Sequence, residues 1–287
     1  MDVGVVGAGR VGTALAALLA KAGYRIVAAS GGQASRERAE RFLPDVPFVT
    51  PAEAAVAADL VLLGVPDDRI AGVCAELAEG GALREGRSVV HLSGSVPLDA
   101  LAPARASGAL VLSLHPLQSF PTVEAAVDRM PGSAIAVTAD SEEGYASGER
   151  LAADVGGIPF RLDDRNKPLY HAAAVFCSNY LAVLMGISER LFALAGIDDP
   201  VSKFAPLARA TLENTLALGS EAALTGPAVR GDAGTIRRNL EALSADAPEV
   251  VPAYVELARS ALDLAQGSGR LPEDRRSAVE EVLAGWS

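Results

Sequence analysis

The 287-residue chain is long enough for two domains, is half hydrophobic, and carries 36 acidic against 25 basic residues for a formal net charge of −11. That balance, without a cluster of Lys and Arg, excludes a nucleic-acid footprint. Cys74 and Cys177 stand far apart and in no metal spacing, so neither a disulfide scaffold nor a metal site is expected and a reducing, cytoplasmic setting is. The first strand begins almost at Met1, leaving no room for a signal peptide, and the apolar segments are read as shorter than the roughly 18 uncharged residues a membrane span needs.

In chain order, the apolar run Val3 to Val6 reads as a buried strand, broken by Gly7-Ala8-Gly9-Arg10-Val11-Gly12 and followed by an Ala/Leu helix that ends near Gly23. In a strand-turn-helix context these glycines serve a dinucleotide. Gly7 makes the tight turn, Gly9 lets backbone approach a pyrophosphate, and Gly12 lets helix and strand pack closely. Gly7, Ala8, Gly9, Arg10, Val11 and Gly12 are therefore expected to cradle the cofactor at a helix N-terminus. Tyr24 to Ala29 reads as the second strand, after which an NAD site places a carboxylate for the ribose hydroxyls. Here the stretch is Ser30-Gly31-Gly32-Gln33-Ala34-Ser35-Arg36-Glu37-Arg38, with no carboxylate in that slot. Ser30 and a guanidinium, Arg36 or Arg38, suit a 2′-phosphate, which predicts NADP(H) over NAD(H).

Further along, helices are expected from Ser35 to Phe42, Pro51 to Ala58, Pro66 to Glu79 and Glu142 to Val155, with a short strand near Phe48. The continuous apolar run 60–63 is the pattern of a strand covered on both faces, hence of a mostly parallel sheet with helices on both sides. Val65 and Pro66 close that strand and join the expected cofactor contacts, as does Ser93. Strands follow at 88–94, 110–115 and 134–138, with an edge strand at 159–162. From Asp163 the β pattern stops. Lys167–Leu194, Pro200–Ala223, Thr235–Ser244, Pro248–Gln266 and Pro272–Ala284 read as helices, which divides the chain into a cofactor domain, 1–163, and a helical domain, 164–287.

Ligands of open α/β sheets bind beyond the carboxyl ends of the strands. His115 ends a strand and is the expected acid/base group, because imidazole titrates near neutral pH; Gln118 adds a polar group on the same loop and His91 reads as structural. Ser93-Gly94-Ser95 is a small polar turn that either faces a nicotinamide or substrate carboxylate or is only a turn. Lys167, His171 and Ser178, spaced by four and then seven, are expected on one helix face with Asn179 beside it, forming a substrate pocket or interhelical hydrogen bonds. Lys167 would hold a carboxylate or give a proton, Asn179 would orient the reacting group, and Cys177 reads as a small buried side chain. The loop around Arg230 and Asp232 either binds a carboxylate or merely caps the next helix.

The segments Gly-Ala-Gly-Arg-Val-Gly (7–12), Gly-Val-Pro-Asp (64–67), His-Leu-Ser-Gly (91–94), His-Pro-Leu-Gln-Ser-Phe (115–120), Tyr-His-Ala-Ala-Ala-Val-Phe-Cys-Ser-Asn (170–179) and Leu-Thr-Gly-Pro-Ala-Val-Arg-Gly-Asp (224–232) resemble a bacterial group of Rossmann-like proteins with a C-terminal domain of unknown function, grouped with NADP oxidoreductases. More distantly the chain is similar to pyrroline-5-carboxylate reductases, prephenate dehydrogenases and the 6-phosphogluconate dehydrogenase superfamily. The resemblance implies a doubly wound, mostly parallel Rossmann sheet, an all-helical C-terminal domain, and a homodimer built through that domain. Two departures stand out. His171 replaces the Asn of the superfamily's Lys-x-x-x-Asn pair, and Gly-Asp-Ala-Gly-Thr (231–235) only approximates the Pro-Gly-Gly-Thr loop of the pyrroline reductases. The expected function is NADPH-dependent reduction of a small carboxylated carbonyl, a 2-keto acid such as ketopantoate by fold analogy. A cyclic imine or an arogenate-like substrate comes next, and a non-catalytic NADP sensor or a deazaflavin reductase are the remaining alternatives.

Overall fold

A computed structural model describes residues 1–267 and 269–286. The chain forms two compact units, Met1–Asn179 and Tyr180–Ser287.

The first unit is a seven-stranded sheet. Its elements are β1 (Asp2–Val6), α1 (Arg10–Lys21), β2 (Arg25–Ser30), α2 (Gln33–Phe42), α3 (Pro51–Val56), β3 (Leu60–Leu63), α4 (Ile70–Glu79), β4 (Ser88–His91), α5 (Ala102–Ala106), β5 (Leu110–Pro116), α6 (Val123–Arg129), β6 (Ala134–Ala139), α7 (Glu142–Asp154), β7 (Ile158–Arg161) and α8 (Lys167–Ala174). The strand order is β2-β1-β3-β4-β5-β6-β7. Every pair is parallel except β5 with β6, so the sheet is mostly parallel, as expected. The expected strand near Phe48 is only an isolated parallel bridge to Ala29.

Alternate residues of β3 supply two separate cores. Leu60 and Leu62 join one apolar cluster, and Val61 and Leu63 join the other. A strand wrapped on both faces has no room for a polar residue, which is why it reads as an unbroken apolar run. The short α3 is fixed by a capping box in which the Thr50 side chain accepts from the Glu53 amide while the Glu53 carboxylate accepts from the Thr50 amide. From β1 the chain goes first to β2 on one side and then to β3 on the other. This opens a crevice at the carboxyl ends of β1 and β3, where doubly wound sheets take their ligands.

The second unit is helical, with α9 (Leu181–Leu194), α10 (Pro200–Leu218), α11 (Ser220–Ala223), α12 (Pro227–Arg230), α13 (Ala233–Asp246), α14 (Val251–Gly267) and α15 (Glu273–Ala284). Its core gathers Ile236, Leu240, Val255, Leu262, Val279 and Leu283. By contrast α9 buries no residue and α10 only Phe204, which stacks on Phe192 with ring centroids 5.7 Å apart.

Two expectations are corrected. The helical stretch Asp164–Leu194 contains an 18-residue window of mean hydropathy 1.4, so one segment is long and apolar enough to cross a membrane by length and composition. The residues 168–188 include no Asp, Glu, Lys or Arg, and their scattered Ser, Asn and Gly do not break the run. Cys177, expected buried, is exposed; it lies in a π-helical turn, Val175–Tyr180, none of whose residues is buried, so no neighbouring element covers it.

Candidate active site

The cleft begins where β1 ends. Gly7 has φ +83°, a left-handed conformation, and a Cβ there would come within 2.5 Å of Val65 Cγ1. A Cβ on Gly9 would sit 2.9 Å from the Gly64 carbonyl oxygen, and one on Gly64 would run into the Gly7 carbonyl oxygen. The turns after β1 and β3 therefore touch backbone to backbone, and both need glycine. The N-terminus of α1 has Gly9 as its N-cap, no side-chain cap and no acidic residue in its first turn. Its free amides and partial positive charge are left to an anion.

The cleft has a volume of about 610 Å³. Gly7, Gly9, Arg10, Val11 and Gly12 line it together with Val65, Pro66 and Ser93. A groove that added side chains would fill, with uncapped helix amides at its middle, fits a dinucleotide. Three of the expected contacts are not in its lining. Ala8 is fully buried, and Ser30 lies behind the wall, its hydroxyl donating to the Val5 carbonyl at 3.3 Å. Arg36 also turns away, stacking its guanidinium over the Phe48 ring at 4.4 Å. Arg38 takes the place in the cleft with Ser35. Its Nε donates to the Ala8 carbonyl at 3.1 Å and its Nη2 to the Ser35 hydroxyl at 3.2 Å. Arg36 and Arg38 stand two residues apart on α2, so helix phase decides which of them faces the groove.

At the far end of the cleft the Ser93–Ser95 turn is ordered by its own hydrogen bonds. The Ser93 hydroxyl accepts from the Ser95 amide (3.2 Å) and the Val96 amide (3.0 Å) and donates to Asp67 Oδ2 at 2.6 Å. The Ser95 hydroxyl donates to the same carboxylate oxygen at 3.0 Å. Asp67 follows Pro66 directly and lines the cleft.

Behind this turn lies Lys167, the first residue of α8 and 1% exposed. Its ammonium donates to the Ser93 carbonyl at 3.0 Å and the Ser113 hydroxyl at 2.6 Å, bridging the loop after β4 and the middle of β5. Asp164 anchors the start of α8, accepting from the Leu98 amide at 2.9 Å. Burial lowers the Lys167 pKa to about 8, with the Asp164 and Asp67 carboxylates opposing the shift.

His91 is fully buried and accepts from the Ser93 amide through Nδ1 at 3.2 Å, which puts its proton on Nε2, a donor without a partner among the described residues. Burial first, then Lys167 and His115, push its pKa down to about 3. His115 is half-buried and lies against Gly94, where a Cβ would fall 2.8 Å from the imidazole. Its Nδ1 is 2.8 Å from the Tyr170 hydroxyl. Burial, then the charges of Lys167 and His171, lower its pKa to about 4, while burial raises that of Tyr170 to about 12. The expectation that His115 titrates near neutrality is thereby corrected: at pH 7 its ring is neutral. The His171 ring stands 6.1 Å from that of His115, centroid to centroid.

The expected polar face therefore splits. Lys167 and His171 reach this cluster, whereas Ser178 and Asn179 are exposed, because they lie on a stretch, 176–183, that is exposed all round whatever the helix phase. Gln118 is exposed, its amide nitrogen 3.4 Å from the Ser133 hydroxyl. Arg230 and Asp232 belong to the second unit. There Asp232 caps α13, accepting from the Thr235 amide at 2.9 Å and the Thr235 hydroxyl at 2.8 Å, while the Arg230 carbonyl accepts from Arg275. Of the two readings of that loop, the cap is the one its hydrogen bonds form. Asp67, Tyr170, Ser35 and Ser113 were missed in the sequence. Tyr170, three residues after Lys167, carried the clearest signal, since that spacing puts it one helical turn further on.

Residues 1–116 match the Rossmann-like domain family, and residues 133–261 match the domain of unknown function DUF2520. The chain thus joins a Rossmann-like domain to a DUF2520 domain. Among solved structures it is similar to a Bacteroides fragilis protein provisionally named an NADP oxidoreductase, with 25% identity over 91% of this chain and 98% of that one and a TM-score of 0.76. A Thermotoga maritima protein shares 23% identity over 93% of this chain and 99% of its own, with a TM-score of 0.70. A reductive aminase from Aspergillus terreus, solved with NADPH and ethyl levulinate, shares the fold at 18% identity over 98% of each chain, with a TM-score of 0.65. No curated protein sequence matches significantly.

Proposed function

We propose that the chain is an NAD(P)-dependent oxidoreductase that prefers NADPH and reduces the carbonyl, or the corresponding imine, of a small carboxylated substrate, with a 2-keto acid as the first candidate. One observation carries this reading. The glycine cleft runs from Arg38 past the uncapped amides of α1 to the Ser93 turn, and a cluster of Lys167, His115 and Tyr170 adjoins that turn. The likeness to a provisionally named NADP oxidoreductase supports the cofactor class. Arg38 with the Ser35 hydroxyl offers the charge and donors that a 2′-phosphate requires, and among the described residues no carboxylate lines the cleft at that end.

The coenzyme, when bound, supplies the hydride. The residues of the chain manage the proton and the charge. His115 is neutral at pH 7, so it serves as a hydrogen-bond partner rather than as an imidazolium acid. The Tyr170 hydroxyl gives its proton to the oxygen or nitrogen that becomes basic on reduction, and the His115 Nδ1–H stabilises the phenolate until solvent reprotonates it. Lys167 holds the Ser93 carbonyl and the middle of β5 in place and adds a positive field beneath the site. The half-buried His171 faces the same cluster and is the candidate carboxylate partner.

The exposed apolar faces of α9 and α10, including Leu207, Leu216 and Leu218, are read as the surface that a second copy covers, giving a homodimer through the helical unit.

The test is NADPH oxidation across a panel of 2-keto acids and cyclic imines, with wild-type protein and Tyr170→Phe. The expected result is turnover of at least one class and a fall in kcat of about a hundredfold or more in Tyr170→Phe, with KM for NADPH unchanged. Full activity in Tyr170→Phe removes it as the proton donor. Tight NADPH binding without turnover of any substrate favours a sensor.

A further inference from the structure

The charges of the cleft are segregated along its length. Arg10 and Arg38 line it together with the positive end of α1, and Asp67 is its only acidic residue among the described residues. Asp67 sits at the opposite end from Arg38, after β3 and beside Ser93. Although exposed, its carboxylate is not a freely rotating surface group, because the Ser93 and Ser95 hydroxyls both donate to Oδ2. A dinucleotide whose phosphates occupy the α1 and Arg38 end leaves its nicotinamide for the Asp67 end. The oxidised ring carries a formal positive charge and the reduced ring carries none.

We propose that Asp67 is the residue that sets the relative affinity for oxidised and reduced coenzyme, holding NADP⁺ more tightly than a neutral side chain there would. The inference rests on the cofactor reading above and adds to it a role for a carboxylate. Asp67 accepts two hydroxyl hydrogen bonds and keeps one carboxylate oxygen, Oδ1, outside that pair. Its field therefore reaches the end of the cleft and favours the cationic ring, whereas the neutral ring of NADPH gains nothing from it. The buried Lys167 ammonium opposes this field in wild type and variants alike, so it drops out of the comparison between them.

The experiment is a pair of calorimetric titrations, NADP⁺ and NADPH, at low ionic strength with wild-type protein, Asp67→Asn and Asp67→Glu. The expected result is that Asp67→Asn raises the Kd for NADP⁺ about three- to fivefold relative to that for NADPH, in the range of a partly solvated charge pair. Asp67→Glu, which keeps the charge, should leave the ratio of the two constants at the wild-type value even if both affinities fall. An equal change for both coenzymes in Asp67→Asn, or an unchanged ratio, reduces Asp67 to a tether for the Ser93 turn and overturns the inference. Wild-type protein that binds neither coenzyme fails differently, because it removes the cofactor reading itself.

Discussion

Lys167 shows what a single side chain does here at a cost to stability. An ammonium that is 1% exposed has lost most of its hydration, and two neutral oxygens, the Ser93 carbonyl and the Ser113 hydroxyl, replace it only in part. Its folded pKa of about 8 lies below the ordinary 10.5. Between those values the unfolded chain holds a proton that the folded chain has released, so stability rises with pH across that window. It is lowest on this account below pH 8, where both states are protonated. The displacement corresponds to about 3 kcal/mol. Chemical denaturation at pH 7 and pH 10 should show this gain in wild-type protein and not in Lys167→Met. That variant should be as stable as wild type or more so at pH 7, yet lose turnover. An equal pH response in both proteins would mean that Lys167 is not the group responsible. Lys167 was legible in the sequence as a charged residue in an apolar helix, but its partners were not, because Ser93 and Ser113 lie 74 and 54 residues away.

Among the elements, the two glycine turns after β1 and β3 work as a pair. The first was plain from its spacing, whereas the dependence of the second on it was not, since the close approach of Gly64 to Gly7 is a contact between strand ends. Gly64→Ala should therefore act like a lesion in the first turn. The new Cβ meets a backbone carbonyl that cannot swing aside, which is expected to cost about 1–3 kcal/mol and to abolish coenzyme binding. Calorimetry and thermal melts check this, and normal coenzyme binding by the Gly64→Ala variant would refute the backbone contact. The expected Lys167–Ser178 face failed for a different reason. The stretch 176–183, which begins inside a π turn at Val175–Tyr180, is exposed all round, so none of its faces is covered. Glycine spacing marks a strained turn because only glycine tolerates it, but an apolar helical pattern carries no mark of whether its face will be covered.

At the scale of the molecule, the change from a sheet to helices was legible from the loss of β pattern, since strand and helix periods differ throughout, whereas the first compact unit runs past residue 163 to Asn179 and takes in α8. The exposed leucines of α10 could not be read the same way, because an apolar helix position looks alike whether its own chain or a second copy covers it. Light scattering should give a dimer, and Leu207→Glu with Leu216→Glu should give a monomer; a wild-type monomer would dismiss the homodimer. The central claim is that a phosphorylated nicotinamide coenzyme occupies the cleft between Arg38 and Ser93. Its most direct test is calorimetric titration of the wild-type protein with NADPH and NADH, repeated with Arg38→Ala. The account predicts saturable binding of one coenzyme per chain, at least about tenfold tighter for NADPH, with that preference lost in Arg38→Ala. Absence of binding by either coenzyme would contradict it.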